Sequence, residues 1–199
     1  MLKYKFIFFL LLASLNSFSQ CDYQSILYDN ATKTLYIKSN ALTLELYETP
    51  YNGRFVQAFL VRNGNSFFIE LEITRDSASQ NLKPTCFEKG DRVSFSLSNN
   101  ENISLIQVED KICGIKNEAA GDGFTTVTDF LKVVITQDAF DKLSKNKVVL
   151  MRINSKNYNQ TFVLKSELEE LINNELVITD PSSFFIETVD CLVKPNFKR

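Results

Sequence analysis

The feature that most constrains the fold is a pair of strand-like segments joined by Asn63-Gly64. Arg54–Arg62 and Ser66–Thr74 are rich in the β-branched and aromatic residues that favour strands. Asn-Gly is the strongest short signal for a two-residue hairpin turn, because both central residues of that turn need positive φ. A turn at Asn63-Gly64 predicts one apolar and one mixed face, with Leu60 opposite Phe67, Ala58 opposite Ile69, Val56 opposite Leu71, Phe59 opposite Phe68, Gln57 opposite Glu70 and Phe55 opposite Glu72.

A second hairpin is predicted from Arg92–Ser98 to Ile103–Val108, where apolar residues alternate with serines. Pairing Leu97 with Ile103 and Phe95 with Leu105 keeps apolar groups together, and the change of phase at Leu105-Ile106 suggests a β-bulge. Extending this register brings Phe87 opposite Cys113, with Cys86 one position away.

The remaining pattern predicts strands first and helices late. Strands are expected at Thr34–Lys38, Leu42–Tyr47, Thr125–Thr136, Val148–Ile153 and Gln160–Leu164, with Leu42, Leu44 and Leu46 on one buried face. Helices are expected over Gln137–Ser144 with Thr136 as cap, after the capping box Ser166-Glu167-Leu168-Glu169, and from Asp180-Pro181. The fold class is therefore α+β, mainly β, with antiparallel, sandwich-like sheets and two or three short helices in the C-terminal third.

The first nineteen residues have the layout of a secretory signal peptide. Lys3 and Lys5 precede an apolar run from Phe6 to Ala13, which is too short to span a bilayer. Ser17 and Ser19 occupy the −3 and −1 positions of a possible cleavage site. We expect residues 1–19 to be the signal peptide and residues 20–199 to form a single secreted or periplasmic β-rich domain, with no transmembrane segment in the mature chain. Lipid anchoring at Cys21 is disfavoured, because Gln20 is not the small residue that should precede an acylated cysteine.

Four cysteines in an exported chain favour two disulfides, for which three connectivities exist. The second hairpin brings Cys86 near Cys113, and Cys21–Cys191 follows by elimination. A four-thiolate metal site is the rival interpretation, but no CxxC spacing occurs.

The composition of the chain excludes several classes of catalytic and metal site. The chain contains no histidine, which removes Ser-His-Asp and Cys-His pairs and histidine-based zinc sites. The formal charge of −2 becomes −4 without Lys3 and Lys5, a balance that argues against a nucleic-acid partner. No phosphate-binding glycine motif and no serine-hydrolase motif is present, so we expect no cofactor.

Two acidic patterns survive these exclusions. Glu70 and Glu72 are alternate residues on one strand face near Phe59 and Phe68, an arrangement that a carboxylate-dependent glycosidase could use. Alternate acids on a strand are more often the solvated face of a sheet. Asp122, between two glycines, could join Glu118 in a Ca²⁺ loop, but two acids fall short of the oxygen ligands that Ca²⁺ needs.

Tyrosines offer a candidate binding surface. Tyr36 and Tyr47 fall on the polar faces of their predicted strands, where exposed rings can stack on sugars or anchor a protein. Ordinary amphipathic cover of a sheet explains the same pattern.

Several segments resemble small secreted β-rich proteins of Gram-negative bacteria of the Bacteroidota type. The segments are Phe18-Ser19-Gln20, Phe87-Glu88-Lys89-Gly90-Asp91, the turn Ser98–Asn102, Val149–Ile153 and Asp190-Cys191-Leu192. The resemblance implies export and a β-rich fold, and no activity comes with it. The function expected is an exported, non-catalytic domain that binds a protein or glycan partner or serves in the cell envelope. The alternatives are a carboxylate-dependent extracellular hydrolase and an inhibitor or immunity-type protein.

Overall fold

The computed structural model describes residues 23–78, 82–118, 124–172 and 174–193. The signal segment, Cys21 and Asp122 lie outside the described residues. Strands dominate: β1 (Tyr23–Asp29), β2 (Thr34–Ser39), β3 (Leu42–Glu48), β4 (Asn52–Asn63), β5 (Ser66–Ser77), β6 (Cys86–Glu88), β7 (Arg92–Leu97), β8 (Asn102–Gln107), β9 (Lys111–Cys113), β10 (Ile115–Glu118), β11 (Thr125–Ile135), β12 (Val148–Asn154), β13 (Asn159–Val163), β14 (Leu168–Ile172) and β15 (Glu175–Thr179).

Eleven strands form one antiparallel sheet in the order β1-β2-β4-β5-β11-β8-β7-β12-β13. Strands β3 and β10 pair with the beginnings of β4 and β11, respectively. Two small antiparallel sheets, β6–β9 and β14–β15, lie apart from it. The fold is mainly β with few helices, which confirms the predicted class.

A hydrophobic core connects two halves of the large sheet, one containing β4, β5 and β11 and the other containing β7, β12 and β13. It joins Leu60, Ile69 and Val133 of the long strands to Phe95 of β7 and Phe162 of β13. The Arg54 guanidinium lies 5.3 Å from the ring centre of Phe162, so the curved sheet brings its β13 end near β4. The outer side of the sheet carries charged and polar residues together with some apolar ones, among them Phe59 and Leu150.

Two helices complete the described fold: α1 (Gln137–Leu143) and α2 (Phe184–Val193), the latter preceded by a 3-10 turn at Pro181–Ser183. Thr136 caps α1 as predicted, since its side chain accepts a hydrogen bond from the Ala139 N–H. The helix predicted from Asp180-Pro181 is also confirmed.

The C-terminal end of α2 is held against the first and fourth strands. Tyr23 donates its hydroxyl proton to the Cys191 carbonyl at 2.9 Å. The Arg62 guanidinium donates to the Leu192 carbonyl at 3.0 Å, so a cation satisfies the helix where its carbonyls lack partners. On the inner side of α2, Phe185 packs edge-on against Phe95.

The predicted registers of both hairpins are wrong by two residues, although the predicted faces are right. Leu60 lies opposite Ile69, and Asn63 pairs with Ser66, so the turn is Gly64-Asn65. Gly64 has φ of 60°, and Asn65 is not among the residues of positive φ, as expected for a type II′ turn.

In the second hairpin, Phe95 lies opposite Ile103 rather than Leu105. The predicted bulge at Leu105-Ile106 is wrong, because the pairing continues without a shift and Gln107, rather than Ile106, turns into the core. The Gln107 side-chain oxygen accepts the Lys132 backbone N–H at 2.8 Å, which satisfies one of the two polar ends of this buried side chain.

Two further expectations are overturned. The segment after Ser166 is the strand hairpin β14–β15 rather than a helix, with Leu168 opposite Thr179. In β3 the register shifts between Thr43 and Glu45, so Leu46 leaves the buried face that Leu44 occupies and becomes exposed.

Candidate functional site

Glu70 and Glu72 lie on the outer side of the large sheet, in a chain of ion pairs that crosses it. Glu70 is 3.0 Å from the Lys38 ammonium and 3.3 Å from that of Lys132, which also lies 3.3 Å from Glu109. Glu72 is 3.9 Å from the same Lys38. Each of the two predicted carboxylates therefore faces a cation.

Aromatic rings lie beneath the lysines of this chain of ion pairs. The Lys38 ammonium sits 3.9 Å from the ring centre of Phe59, and that of Lys132 sits 5.0 Å from Phe68. Burial alone would lower the pKa of Lys132, but Glu70 and Glu109 outweigh it and hold that pKa above its ordinary value. Three glutamates thus surround two lysines, and the adjoining pocket of about 200 Å³ is open to solvent.

Tyr36 and Tyr47 do not share a surface. Tyr36 lies opposite Asn63 at the end of β4, whereas Tyr47 lies opposite Arg54 near its start. Odd- and even-numbered residues of a strand point to opposite faces of the sheet. Because Tyr36 pairs with Asn63 and Tyr47 with Arg54, the two rings lie on opposite faces. Tyr47 instead lies beside the Arg54 guanidinium, 6.0 Å from ring centre to cation.

A partly buried polar network, which sequence reasoning missed, surrounds the paired residues Arg54 and Arg75. Arg54 and Arg75 are directly opposite one another on β4 and β5. Glu45 binds Arg54 through two hydrogen bonds of 2.8 Å, and Asp129 accepts one of 2.6 Å from Arg75. Burial raises the pKa of Tyr158, whose ring lies 5.8 Å from the Arg75 guanidinium.

Asp129 also anchors the disulfide-bonded strand pair. Its side chain is fully buried, and its second oxygen accepts the Thr85 N–H at 2.6 Å. Cys86 lies opposite Cys113, and the two form the predicted disulfide. The network therefore has a structural task, since one carboxylate ties Thr85, the residue before β6, to β11.

Cys191 is also disulfide-bonded. Because its predicted partner Cys21 lies outside the described residues, that pairing stays a prediction. The same applies to the Ca²⁺ loop, since neither Asp122 nor the side chain of Glu118 is described. Within the described ranges, no group of three or more acidic or cysteine side chains is placed to hold a metal ion.

The β14–β15 hairpin exposes apolar side chains to solvent. Leu171 and Leu176 lie opposite one another, and Ile178 lies opposite Glu169 on the same side. These three apolar side chains are 78%, 61% and 60% exposed, while Leu168 on the other side is buried. Contiguous apolar patches are uncommon on the surfaces of soluble proteins, and they often mark interaction sites.

The outer side of strands β8, β7, β12 and β13 carries a second exposed surface, which we call the serine face. Ser94 lies between Ser104 and Arg152 in one cross-strand row, and Ser96 lies between Asn102 and Leu150 in the next. An open trough of about 500 Å³ runs over these residues. The complete face consists of Arg92, Ser94, Ser96, Asn102, Ser104, Ile106, Leu150, Arg152, Asn154, Asn159, Thr161 and Val163.

None of the helices in the described part of the chain is both long enough and apolar enough to cross a membrane. Comparisons with protein-family models, with curated proteins and with solved structures found no match to this chain. The function therefore has to be argued from the surfaces described above.

Proposed function

We propose that this chain is an exported, non-catalytic domain that binds a protein partner through the outward side of the β14–β15 hairpin. The observation that carries the proposal is the exposure of Leu171, Leu176 and Ile178 on one side of two paired strands. Covering such side chains on association would remove apolar surface from water, which is the main favourable term in most protein association. A two-stranded hairpin outside the main sheet gains little stability alone, so a partner on its open side would also stabilise it.

The charges around this apolar surface indicate the chemistry of the partner. Glu169 lies on the same side, and Glu175 is exposed beside the turn. From Ser166 to Thr179 the segment contains acidic residues and no lysine or arginine. A complementary partner therefore presents an apolar centre with a cationic rim.

Export is supported by two independent features. The layout of residues 1–19 is that of a secretory signal peptide. Disulfides such as Cys86–Cys113 persist in oxidising compartments and are rare in reducing ones.

The carboxylate-dependent hydrolase is the weaker candidate. A glycosidase pairs an ionised carboxylate with one whose pKa is raised so that it can donate a proton. Glu70 and Glu72 instead lie on one side of one strand and share Lys38, and Lys132 adds a second cation beside Glu70. Both carboxylates are thus held in ion pairs on one face of the sheet rather than on opposite sides of a cleft.

The test is capture from the periplasm or medium of the producing cell with three immobilised proteins: wild type, Leu176→Lys and Leu27→Lys. Leu27 is 62% exposed on β1 and Leu176 is 61% exposed on β15, so the two substitutions are matched in strand context and exposure. We expect a partner that wild type and Leu27→Lys retain equally and that Leu176→Lys binds at least tenfold more weakly.

Equal retention by all three proteins would remove the hairpin from the interface. Recovery of nothing in repeated attempts, together with turnover of a polymer by the purified protein, would favour the hydrolase. An enzyme whose activity falls on binding would identify the partner's class and make this chain an inhibitor or immunity-type protein.

A further inference from the structure

We propose that the serine face binds an anionic glycan, a chain of sugars that carries carboxylate or sulfate groups. This site lies on strands β7, β8, β12 and β13 and shares no residue with the β14–β15 hairpin. The proposal does not depend on the protein partner proposed above, and either can fail while the other stands.

The charges of the serine face distinguish it from the rest of the same sheet. On the other half of the sheet, Lys38 and Lys132 are neutralised by glutamates. Arg92 and Arg152 lie on the serine face, and neither takes part in the ion pairs found among the described residues. The side chains that make up this face include no carboxylate, so its two guanidinium groups face solvent unbalanced.

The position of the arginines suits a polymer with spaced negative charges. Arg152 lies opposite Ser94, while Arg92 lies two residues earlier on β7, opposite Asn154. Diagonal neighbours of this kind are about 7–8 Å apart at their backbones. Guanidinium groups bind carboxylate and sulfate-like oxygens through paired hydrogen bonds, which makes arginine the favoured residue for such anions.

The trough beside Arg152 supplies the remaining chemistry. Ser94, Ser96 and Ser104 have small side chains, whereas Leu150 and Arg152, which line the same trough, are long. The Ser96 hydroxyl donates to Asn102 at 2.7 Å, and Arg152 donates to Asn159 at 3.2 Å. Hydroxyl and amide groups both donate and accept hydrogen bonds, which matches the hydroxyl groups of sugars.

The shape of the site agrees with an extended ligand. Pockets for small molecules are enclosed and mainly apolar. The serine face is an open surface four strands wide on which polar side chains alternate with Ile106, Leu150 and Val163, and a chain of sugars can lie along it. The negative charge of the whole protein repels polyanions, so binding would report the local face rather than overall attraction.

The experiment measures binding to polygalacturonate, which carries carboxylates, and to dextran sulfate, with uncharged dextran as the neutral polymer, by titration calorimetry at low ionic strength. We expect wild type to bind at least one of the two anionic polymers and not dextran. Arg92→Gln/Arg152→Gln should reduce the affinity at least tenfold, since each guanidinium contributes a charge-assisted contact.

Two controls separate a site from general electrostatics. Lys111→Gln/Lys145→Gln removes the same charge from exposed residues elsewhere and should leave binding within twofold of wild type. Ser94→Leu keeps the charge but fills the trough, and should weaken binding at least fivefold while the circular dichroism spectrum stays unchanged.

Equal losses in the two double variants would overturn the proposal, as would the absence of binding to both anionic polymers. A twenty-nucleotide deoxythymidine strand is the last probe. Tighter binding of this strand than of either glycan, lost in Arg92→Gln/Arg152→Gln, would replace the glycan with a nucleic acid.

Discussion

At the scale of residues, Asp129 shows how a buried charge is retained. Its two oxygens accept from Arg75 and from the Thr85 backbone, so its charge is balanced and hydrogen-bonded. Gly114 passes directly over this carboxylate. A side chain at position 114 would overlap an Asp129 oxygen and the Thr128 carbonyl oxygen.

Gly114→Ala should therefore lower the free energy of unfolding by about 1–3 kcal/mol, because either the strand or the carboxylate has to move. The measurement is urea unfolding followed by circular dichroism. Gly53→Ala is the matched control, since its added methyl group meets Asp76 at an ordinary contact distance of 3.4 Å. A loss no larger at position 114 than at position 53 would contradict this account.

Asp180, just before α2, makes a pH-dependent contribution to the free energy of unfolding. Burial alone would raise its pKa, but hydrogen bonds from Lys147, Ser182 and Ser183 outweigh this and hold the pKa of Asp180 well below its ordinary value. A lowered pKa in the folded protein means that Asp180 contributes stability above the pKa of the unfolded chain, about 4. That contribution is lost as pH falls below this value towards the folded pKa.

We expect Asp180→Asn to be less stable than wild type at pH 7, by about 0.5–2 kcal/mol, as for other helix-start caps. The gap should narrow as pH falls from 5 to 2, because wild type loses its Asp180 contribution and the variant has none to lose. Parallel urea titrations at four pH values measure this. A gap that widens in acid would show that the carboxylate is not stabilised in the folded state.

At the scale of elements, the two hairpins show what an alternating pattern determines. A shift of two residues keeps every side chain on its face, so Leu60 is buried whether it lies opposite Phe67 or Ile69. The turn decides between these registers, and Gly64-Asn65 and Asn63-Gly64 are both acceptable from sequence. The faces were therefore predictable, whereas the partner of each residue was not.

The β14–β15 hairpin shows the opposite failure. Leu168, Leu171 and Ile172 recur at helical spacing after a capping box, and this local signal favoured a helix. The structure pairs Leu171 with Leu176, a contact between segments that no local pattern can reveal. Residue spacing over so few positions fits both a helix and a strand.

The β6–β9 pair depends on its cross-link. Replacing both Cys86 and Cys113 by alanine opens a loop whose ends are 27 residues apart in sequence, for which chain entropy predicts a loss of about 3–4 kcal/mol. Urea unfolding without reductant measures the loss. With reductant present, wild type and variant should coincide, and a difference that persists would assign the effect to the side chains rather than to the bond.

At the scale of the whole molecule, one core spans both halves of the large sheet and the second helix. Phe185 of α2 is fully buried and packs against Phe95 of β7 and against Phe184. The same core contains Leu60 of β4 and Phe162 of β13. A cavity in one part of this core should therefore lower the stability of the whole domain.

Phe185→Ala should lower the free energy of unfolding by about 3–5 kcal/mol while leaving one cooperative transition. Calorimetry measures both quantities, and the exposed substitution Val193→Ala is the control. Two separate transitions in the Phe185 variant would show that the halves of the sheet fold independently.

The candidate surfaces were harder to predict than the fold. Alternation placed Glu70 and Glu72 on the outer side of the sheet, yet their cations come from β2 and β11, which the sequence does not bring together. The serines of β7 were visible as a pattern, but the row that joins Ser94 to Arg152 depends on the order of strands. Long-range neighbours decide a site, and single-strand patterns cannot supply them.

The contacts of Tyr23 and Arg62 with the end of α2 have a consequence for chain connectivity. They bring Tyr23 and the end of α2 close together, so a short peptide could join the C-terminal side of α2 to the chain just before Cys21, which keeps the predicted Cys21–Cys191 pair. New termini could then be opened in the exposed turn between β7 and β8, at Asn99-Asn100. Such a circular permutant should keep the architecture, because proteins whose ends meet tolerate this rearrangement at exposed turns.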